Sequence, residues 1–429
     1  MGSNKLSCDL LIIGAGMAGN AAALFAVEHG IDTIQAGQTS EIGFASGLID
    51  LLGVHPAAEG KVLHDPWQGI AQLRQDEPLH PYAKLSNEVI RAALEKILKF
   101  FGQNGYPYEA ALEKNTLILT PTGTIKPTYA VPHTMAHGAR ALAAKTPCLL
   151  VDFKRLRGFS GRQIVLSLTA RWPNLRTTRL RFPEQPEGEL YPERMARAME
   201  SSEVRAQIIA AIKPHLGDAR AVALPAVMGV YHTVQILKEL QQGLGVPVFE
   251  IPTMLPAVTG LRLQEIFEQH LPAAGVRSLR QQRVLAAVRQ GDGRWALTVG
   301  DETGAQQVIA RAVVLCSGRF FGKGLHADRQ GIRETIFNLP VVQPADRAAW
   351  HHKDLLHTGG HPINRAGLAV DQQFRPVDGH GRLIHANLFA AGSILAYQDW
   401  VRQKCGSGLA IASAYAAVEE VKRSFKFKV

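Results

Sequence analysis

A short apolar run, residues 10 to 13, breaks at Gly14, Gly16 and Gly19 and passes at once into the alanine-rich stretch of residues 20 to 28. Few local structures accept three glycines at that spacing between a strand and a helix. Gly14 permits the tight bend, Gly16 lets backbone approach a phosphate that a side chain would exclude, and Gly19 lets helix and strand pack closely. Met17 and Ala18 bring unpaired N–H groups and the positive end of the helix dipole to that phosphate. A second strand at residues 32 to 36 follows, so the segment predicts a nucleotide-binding turn in a Rossmann-like α/β fold.

The usual partner of that turn is missing. Dinucleotide folds hold the adenosine ribose with Asp or Glu at the end of the second strand, about 20 residues on. Here the strand ends around Gln35, and Asp32 and Glu41 lie at its wrong end or beyond it. A mononucleotide has no adenosine to hold and suits this omission. An amide touching a ribose keeps the dinucleotide as the alternative.

At 429 residues the chain is long enough for two packed domains. Residues 10 to 27 carry no charge, but the glycines divide them into two short elements, so no transmembrane helix is expected. No cationic leader precedes them, and a cytoplasmic location is expected. Cys8, Cys148, Cys316 and Cys405 stand too far apart in sequence to read as a disulfide framework, a metal site or an iron-sulfur motif. An iron-sulfur centre used in this chemistry would belong to a partner. Lys and Arg exceed Asp and Glu by ten, spread along the chain, which favours anionic ligands or acidic partners over nucleic acid. The compact basic tail, residues 422 to 428, reads as a solvated helix end or as a membrane or partner contact.

After the second strand comes a loop of small residues whose Ser46 and Gly47 leave room for a planar ring. Helices are expected at residues 88 to 101, 193 to 213 and 232 to 242, and strands at 219 to 228 and 246 to 251. Residues 283 to 288 and 295 to 299 form a strand pair. A strand at 310 to 315 ends in Cys316, Ser317 and Gly318, and another at 387 to 391 ends in Gly392 and Ser393. Gly406, Ser407 and Gly408 open a long helix, whose dipole suits the negative charge of a reduced flavin. Three glycine-terminated strands point to a flavin-binding domain assembled from residues 7–55, 257–340 and 385–429. An α+β substrate or cap domain is expected at 56–256 and 341–384.

Several longer segments then resemble one family. Residues 44 to 52, 251 to 256, 260 to 263, 317 to 325, 331 to 334 and 388 to 393, with Cys405 and Gly406, are similar in the same order to the B subunits of the bacterial anaerobic glycerol-3-phosphate dehydrogenases. The Gly260-Leu261-Arg262-Leu263 and Gly331-Ile332-Arg333-Glu334 segments are the most specific.

The resemblance implies a flavoprotein carrying FMN, with FAD as the alternative, beside a separate FAD-bearing subunit. It implies quinone-linked oxidation of sn-glycerol 3-phosphate to dihydroxyacetone phosphate, with electrons relayed through a third, iron-sulfur subunit during fumarate or nitrate respiration. The complex would lie peripherally on the cytoplasmic face of the inner membrane. Flavin suits such wiring because it accepts electrons in pairs and releases them singly. The resemblance supplies no catalytic residue. A phosphate substrate favours a bidentate arginine, for which Arg262, Arg319, Arg333, Arg365 and Arg402 are candidates, and His361 is the candidate base for the C2 hydroxyl. Two other readings are a self-sufficient FAD enzyme of the fumarate-reductase flavoprotein type and a flavin-free scaffold protein.

Overall fold

The structure, a computed structural model, describes residues 5–183 and 188–426. The elements that frame the site are, in chain order, β1 (Lys5–Ile13), α1 (Met17–Glu28), β2 (Thr33–Gly37), β3 (Cys148–Phe153), α2 (Gly161–Leu168), β4 (Leu175–Leu180), β5 (Ala221–Pro225), α3 (Thr233–Leu244), β6 (Val248–Ile251), β7 (Arg277–Arg280), β8 (Arg283–Arg289), β9 (Trp295–Asp301), β10 (Gly304–Leu315), β11 (Leu388–Ala390) and α4 (Gly406–Lys426). They fall into two compact units, one of Met1–Ile42, Asp50–Ile97 and Phe267–Val429, the other of Gly43–Ile49 and Leu98–Ile266.

In the first unit one sheet runs in the order β7-β2-β1-β10-β9-β8, with β11 also paired to β10. The strands β7, β2, β1, β10 and β11 are parallel, and β8 and β9 form an antiparallel hairpin on β10. The twelve residues of β10 serve three neighbours: Gln307 to Leu315 pair with β1 on one side, and on the other Gly304 to Ala310 pair with β9 and Val313 to Leu315 with β11. Leu10 to Ile13 are apolar and almost wholly buried, as a parallel strand covered on both faces requires. Helix α1 is apolar on nearly every side because it packs against both the sheet and α4, where Phe25 meets Tyr415 edge to face at 5.1 Å.

The second unit holds a four-stranded parallel sheet ordered β6-β5-β3-β4, which reverses direction of growth between β3 and β5. Its main sheet is therefore doubly wound α/β, accompanied by two small antiparallel strand pairs, Tyr108–Ala110 with Ala130–Pro132 and Thr116–Leu119 with Ile125–Thr128. The helix expected over 193 to 213 is two helices, Pro192–Ala198 and Ser202–Ile212.

The division also differs from the expected one. Residues 56–97 and 341–384 belong to the nucleotide-type unit because their backbone is tied into it: Leu63 N donates to Gly53 O, and Leu368 N to Ile394 O. Residues 257–266 join the second unit, held by the buried pair of Arg262 with Glu250. Of the basic tail, Phe427 and Lys428 lie outside the described residues. Lys422 and Arg423 pair with Glu419 and Glu420 on their own helix, and Arg311 stacks over Phe425. Among the described residues no helix is long and apolar enough to cross a membrane.

Candidate flavin site

At the end of β1, Gly14 has φ +124° and donates its N–H to Ala36 O (2.8 Å), while Cys316 N donates to Ile13 O (2.8 Å). A Cβ on Gly14 would lie 2.3 Å from Cys316 O, and one on Gly19 would lie 2.0 Å from Gly14 O. Both glycines are therefore demanded by backbone contact. Gly16 caps α1 without any side-chain hydrogen bond, and Asn20 N is the first amide to turn back, onto Gly16 O. The first turn is thus open to an anion. Gly14, Ala15, Gly37, Arg283, Ser317 and Lys323 line the adjoining groove, in which Ser317 Oγ is buried with no partner among the described residues. These groups fit the phosphate of a bound nucleotide.

Gln35 does not reach that groove. Its buried Nε2 donates to Gly14 O (3.1 Å) and Asn20 Oδ1 (2.9 Å), so it braces the turn from inside. The strand runs on to Gly37, which takes the place at the strand's end, and a Cβ there would sit 2.8 Å from Ala15 N. The acidic anchor is absent because backbone occupies its space.

Two other predicted turns come close to this one. Gly392, with φ +82°, lies where a Cβ would be 2.6 Å from Ala18 Cβ, and its N–H donates to Ser413 Oγ of α4 (2.9 Å). Gly318 has φ +69° and follows the orphaned Ser317. Ser393 uses its carbonyl on Arg319. At the start of α4 the donors are partly committed: Gly408 N donates to Asp50 O (2.8 Å), Ser407 Oγ accepts from Asp50 N (2.7 Å), and a Cβ on Gly406 would meet the Trp400 ring at 2.9 Å. That helix start therefore offers fewer free amides than expected. Ser46 and Gly47 belong to the second unit, where Gly47 O accepts from Tyr108 Oη (2.7 Å).

Of the predicted phosphate and base residues, Arg262, Arg319, Arg365, Arg402 and His361 are committed to other partners, whereas Arg333 faces a cavity. Arg262 and Glu250 are fully buried and paired twice, at 2.7 and 2.8 Å, and Arg262 also holds Gly229 O. Burial alone would raise the Glu250 carboxyl, but the guanidinium outweighs it and holds the carboxyl below its usual value. Arg262 is a structural pin. Arg319 spreads its guanidinium over four carbonyls, of Ser393, Asn364, Leu395 and Gln398, leaving no fork for a phosphate. Burial lowers it to about 10. Arg365 pairs with Glu77 at 2.6 Å, and Arg402 binds His357 O and Ala57 O. His361 accepts from His352 N at Nδ1 and donates Nε2–H to Leu355 O, so its lone pair is occupied and it is not placed as a base. Arg333 is exposed, pairs with Asp328 at 3.3 Å, and lines a cavity of about 890 Å³ with Arg283, Lys323, Arg347 and Trp350. This cavity shares Arg283 and Lys323 with the glycine groove. Among the described residues its one lining carboxylate, Glu334, is turned inward onto the amides of Ile336, Phe337 and Leu339, so the wall is cationic.

Sequence reading misses a buried polar network ahead of α4. His80 is wholly buried; its Nδ1 accepts from Tyr82 N (3.1 Å), which leaves Nε2–H to donate to Gln403 Oε1 (3.3 Å). Asp399 N donates to the same oxygen (2.9 Å). The only signal in sequence is a histidine before Pro81, which carries no spacing. Among the described residues no cluster of three or more His, Cys, Asp or Glu could hold a metal.

The FAD binding domain family matches residues 9–409. A probable anaerobic glycerol-3-phosphate dehydrogenase B subunit of Halobacterium salinarum is 31% identical, covering 96% of this chain and 97% of that one. The corresponding protein of Vibrio cholerae is 29% identical over 97% of each chain. Among solved structures, a 3-ketosteroid delta1-dehydrogenase from Sterolibacterium denitrificans matches 97% of this chain and 100% of its own at 10% identity and TM-score 0.44. The chain belongs to the family of anaerobic glycerol-3-phosphate dehydrogenase B subunits, flavin-binding oxidoreductases built on the FAD binding domain.

Proposed function

We propose that the chain is the flavin-carrying relay component of a complex that oxidises sn-glycerol 3-phosphate to dihydroxyacetone phosphate. Electrons would leave through an iron-sulfur partner toward quinone at the cytoplasmic face of the membrane, an FAD-bearing partner supplying the other flavin. The observation that carries the reading is the convergence of turns: Gly14 against Cys316 and Gly392 against Ala18 bring two separated chain segments against the β1–α1 turn and its helix, beside the groove lined by Gly14 and Ser317. Bound flavin supplies the two-electron chemistry. The protein's own part is to hold the phosphate at the start of α1, with Gly14, Gly19 and Gly392 letting the surrounding backbone pack closely there.

FMN is the flavin this groove favours. Gly37 leaves no acid for an adenosine ribose, and Arg283 and Lys323 flank the groove with positive charge, which suits a terminal phosphate. The match to an FAD binding domain supports FAD as the second reading. The test is to purify the chain with its partners under anaerobic conditions, add sn-glycerol 3-phosphate, and follow flavin bleaching. Bleaching of a flavin that copurifies with this chain supports the relay. A chain that holds flavin but never changes redox state in the active complex contradicts it.

A further inference from the structure

Gln403 ends the short helix Trp400–Gln403 just ahead of α4, and its side chain is fully buried. Its orientation is fixed. Three donors converge on Oε1: Asp399 N at 2.9 Å, His80 Nε2 at 3.3 Å and Cys405 Sγ at 4.0 Å. His80 can serve only as a donor there, because Nδ1 is already accepting from Tyr82 N and burial keeps the ring neutral, its pKa pushed down to about 3. With three donors on one atom, that atom is the oxygen, and the amide nitrogen must face the other way. There Nε2 is buried and has no partner among the described residues. The backbone of the same residue is held too, since Gly53 N and Val54 N both donate to Gln403 O.

Buried donors without acceptors are rare in folded proteins, and a rigidly held one calls for a partner or a functional role. The neighbourhood supports a ligand over a packing defect. Gln398 Oε1 and Arg402 Nε, within five residues, are also buried without partners, and α4 begins three residues later. Three polar atoms in one six-residue stretch ahead of a helix start are thus buried with no partner among the described residues.

We propose that Gln403 Nε2 donates a hydrogen bond to a carbonyl oxygen of the bound flavin, with His80 as the positioning residue that aims it. This rests on the flavin reading above. A donor to a ring carbonyl gains strength as negative charge builds on that oxygen during reduction, so Gln403 makes the flavin easier to reduce. His80 acts through Gln403 alone: a neutral, buried imidazole cannot exchange protons near neutral pH but can hold an amide in one orientation.

The experiment uses the flavin-loaded chain and the variants Gln403→Glu and His80→Phe. Gln403→Glu keeps the acceptor for Asp399 N and removes the outward donor. Expected are a displaced flavin absorption band and a midpoint potential lowered by about 30 mV, a tenfold shift in the oxidised-to-reduced ratio for a two-electron couple. His80→Phe leaves Gln403 in place but loosened and gives a smaller shift of the same sign. If either folded, flavin-loaded variant has the wild-type spectrum and potential, the proposal is wrong. An unchanged spectrum with a raised KM for sn-glycerol 3-phosphate in the assembled complex assigns the donor to substrate and overturns the flavin assignment. Wild-type chain that binds no flavin defeats the underlying reading instead, before either variant is made.

Discussion

His80 and Gln403, 323 positions apart in sequence, meet through a hydrogen bond from Nε2 to Oε1 of 3.3 Å in the buried interior of the nucleotide-type unit. The bond ties the segment after β2 to the short helix just ahead of α4.

The pair sets a pH dependence of stability. Burial pushes the His80 ring down to about 3 in the folded chain, against about 6.5 when unfolded. Between those values the unfolded chain binds a proton that the folded chain refuses, so stability falls as pH drops from about 6.5 toward 3. Urea unfolding at pH 7 and pH 5 should show a loss of about 2 kcal/mol from this residue. His80→Asn should reduce the pH-dependent loss by that amount, and an equal loss in both proteins counts against a neutral buried His80.

Gly14→Ala tests the turn. The residue has φ +124°, and the added methyl would overlap Cys316 O. Strain and overlap together should cost about 3 kcal/mol or more, with flavin retention lost. Thermal unfolding and the flavin content of the purified variant check this. Normal flavin occupancy would show that the groove does not hold the phosphate.

Arg262 separates structure from chemistry. Arg262→Met leaves Glu250 buried without its partner and should cost about 3–5 kcal/mol, and Arg262→Met with Glu250→Leu should recover most of it. Calorimetry on both variants decides. A stable single variant with raised KM for sn-glycerol 3-phosphate would restore Arg262 as a substrate ligand.

His361→Ala should leave turnover of the assembled complex within about twofold, with the same pH profile, because both ring nitrogens serve their own loop. Loss of the alkaline-rising limb of that profile would reinstate it as the base.

Much of the fold is legible in sequence because it is written in local pattern. The strand, glycine turn and alanine-rich helix at residues 10 to 28, the β8–β9 hairpin and the glycine-started α4 all rest on periodicity and punctuation, and each appears within a few residues of its expected place. The helix Pro66–Asp76 escapes such reading even though Asp65 caps it and Pro66 opens it, because the cap signal is short and the apolar spacing weak. Charged side chains are the least legible. Arg262, Arg319 and Arg365 look alike in sequence, and only tertiary packing shows that one pins a buried glutamate, one clamps four carbonyls and one pairs with Glu77. Gln35 misleads for a related reason: its strand runs two residues further, so its side chain faces the turn's interior and Gly37 stands at the groove.

The central claim is that separated glycine turns hold one flavin. The direct measurement is to purify the chain, record its visible spectrum, release the chromophore with acid, and identify and quantify it by chromatography. The account predicts close to one flavin per chain, recovered as FMN, and almost none from Gly14→Ala. A colourless chain that takes up neither FMN nor FAD on reconstitution would contradict it.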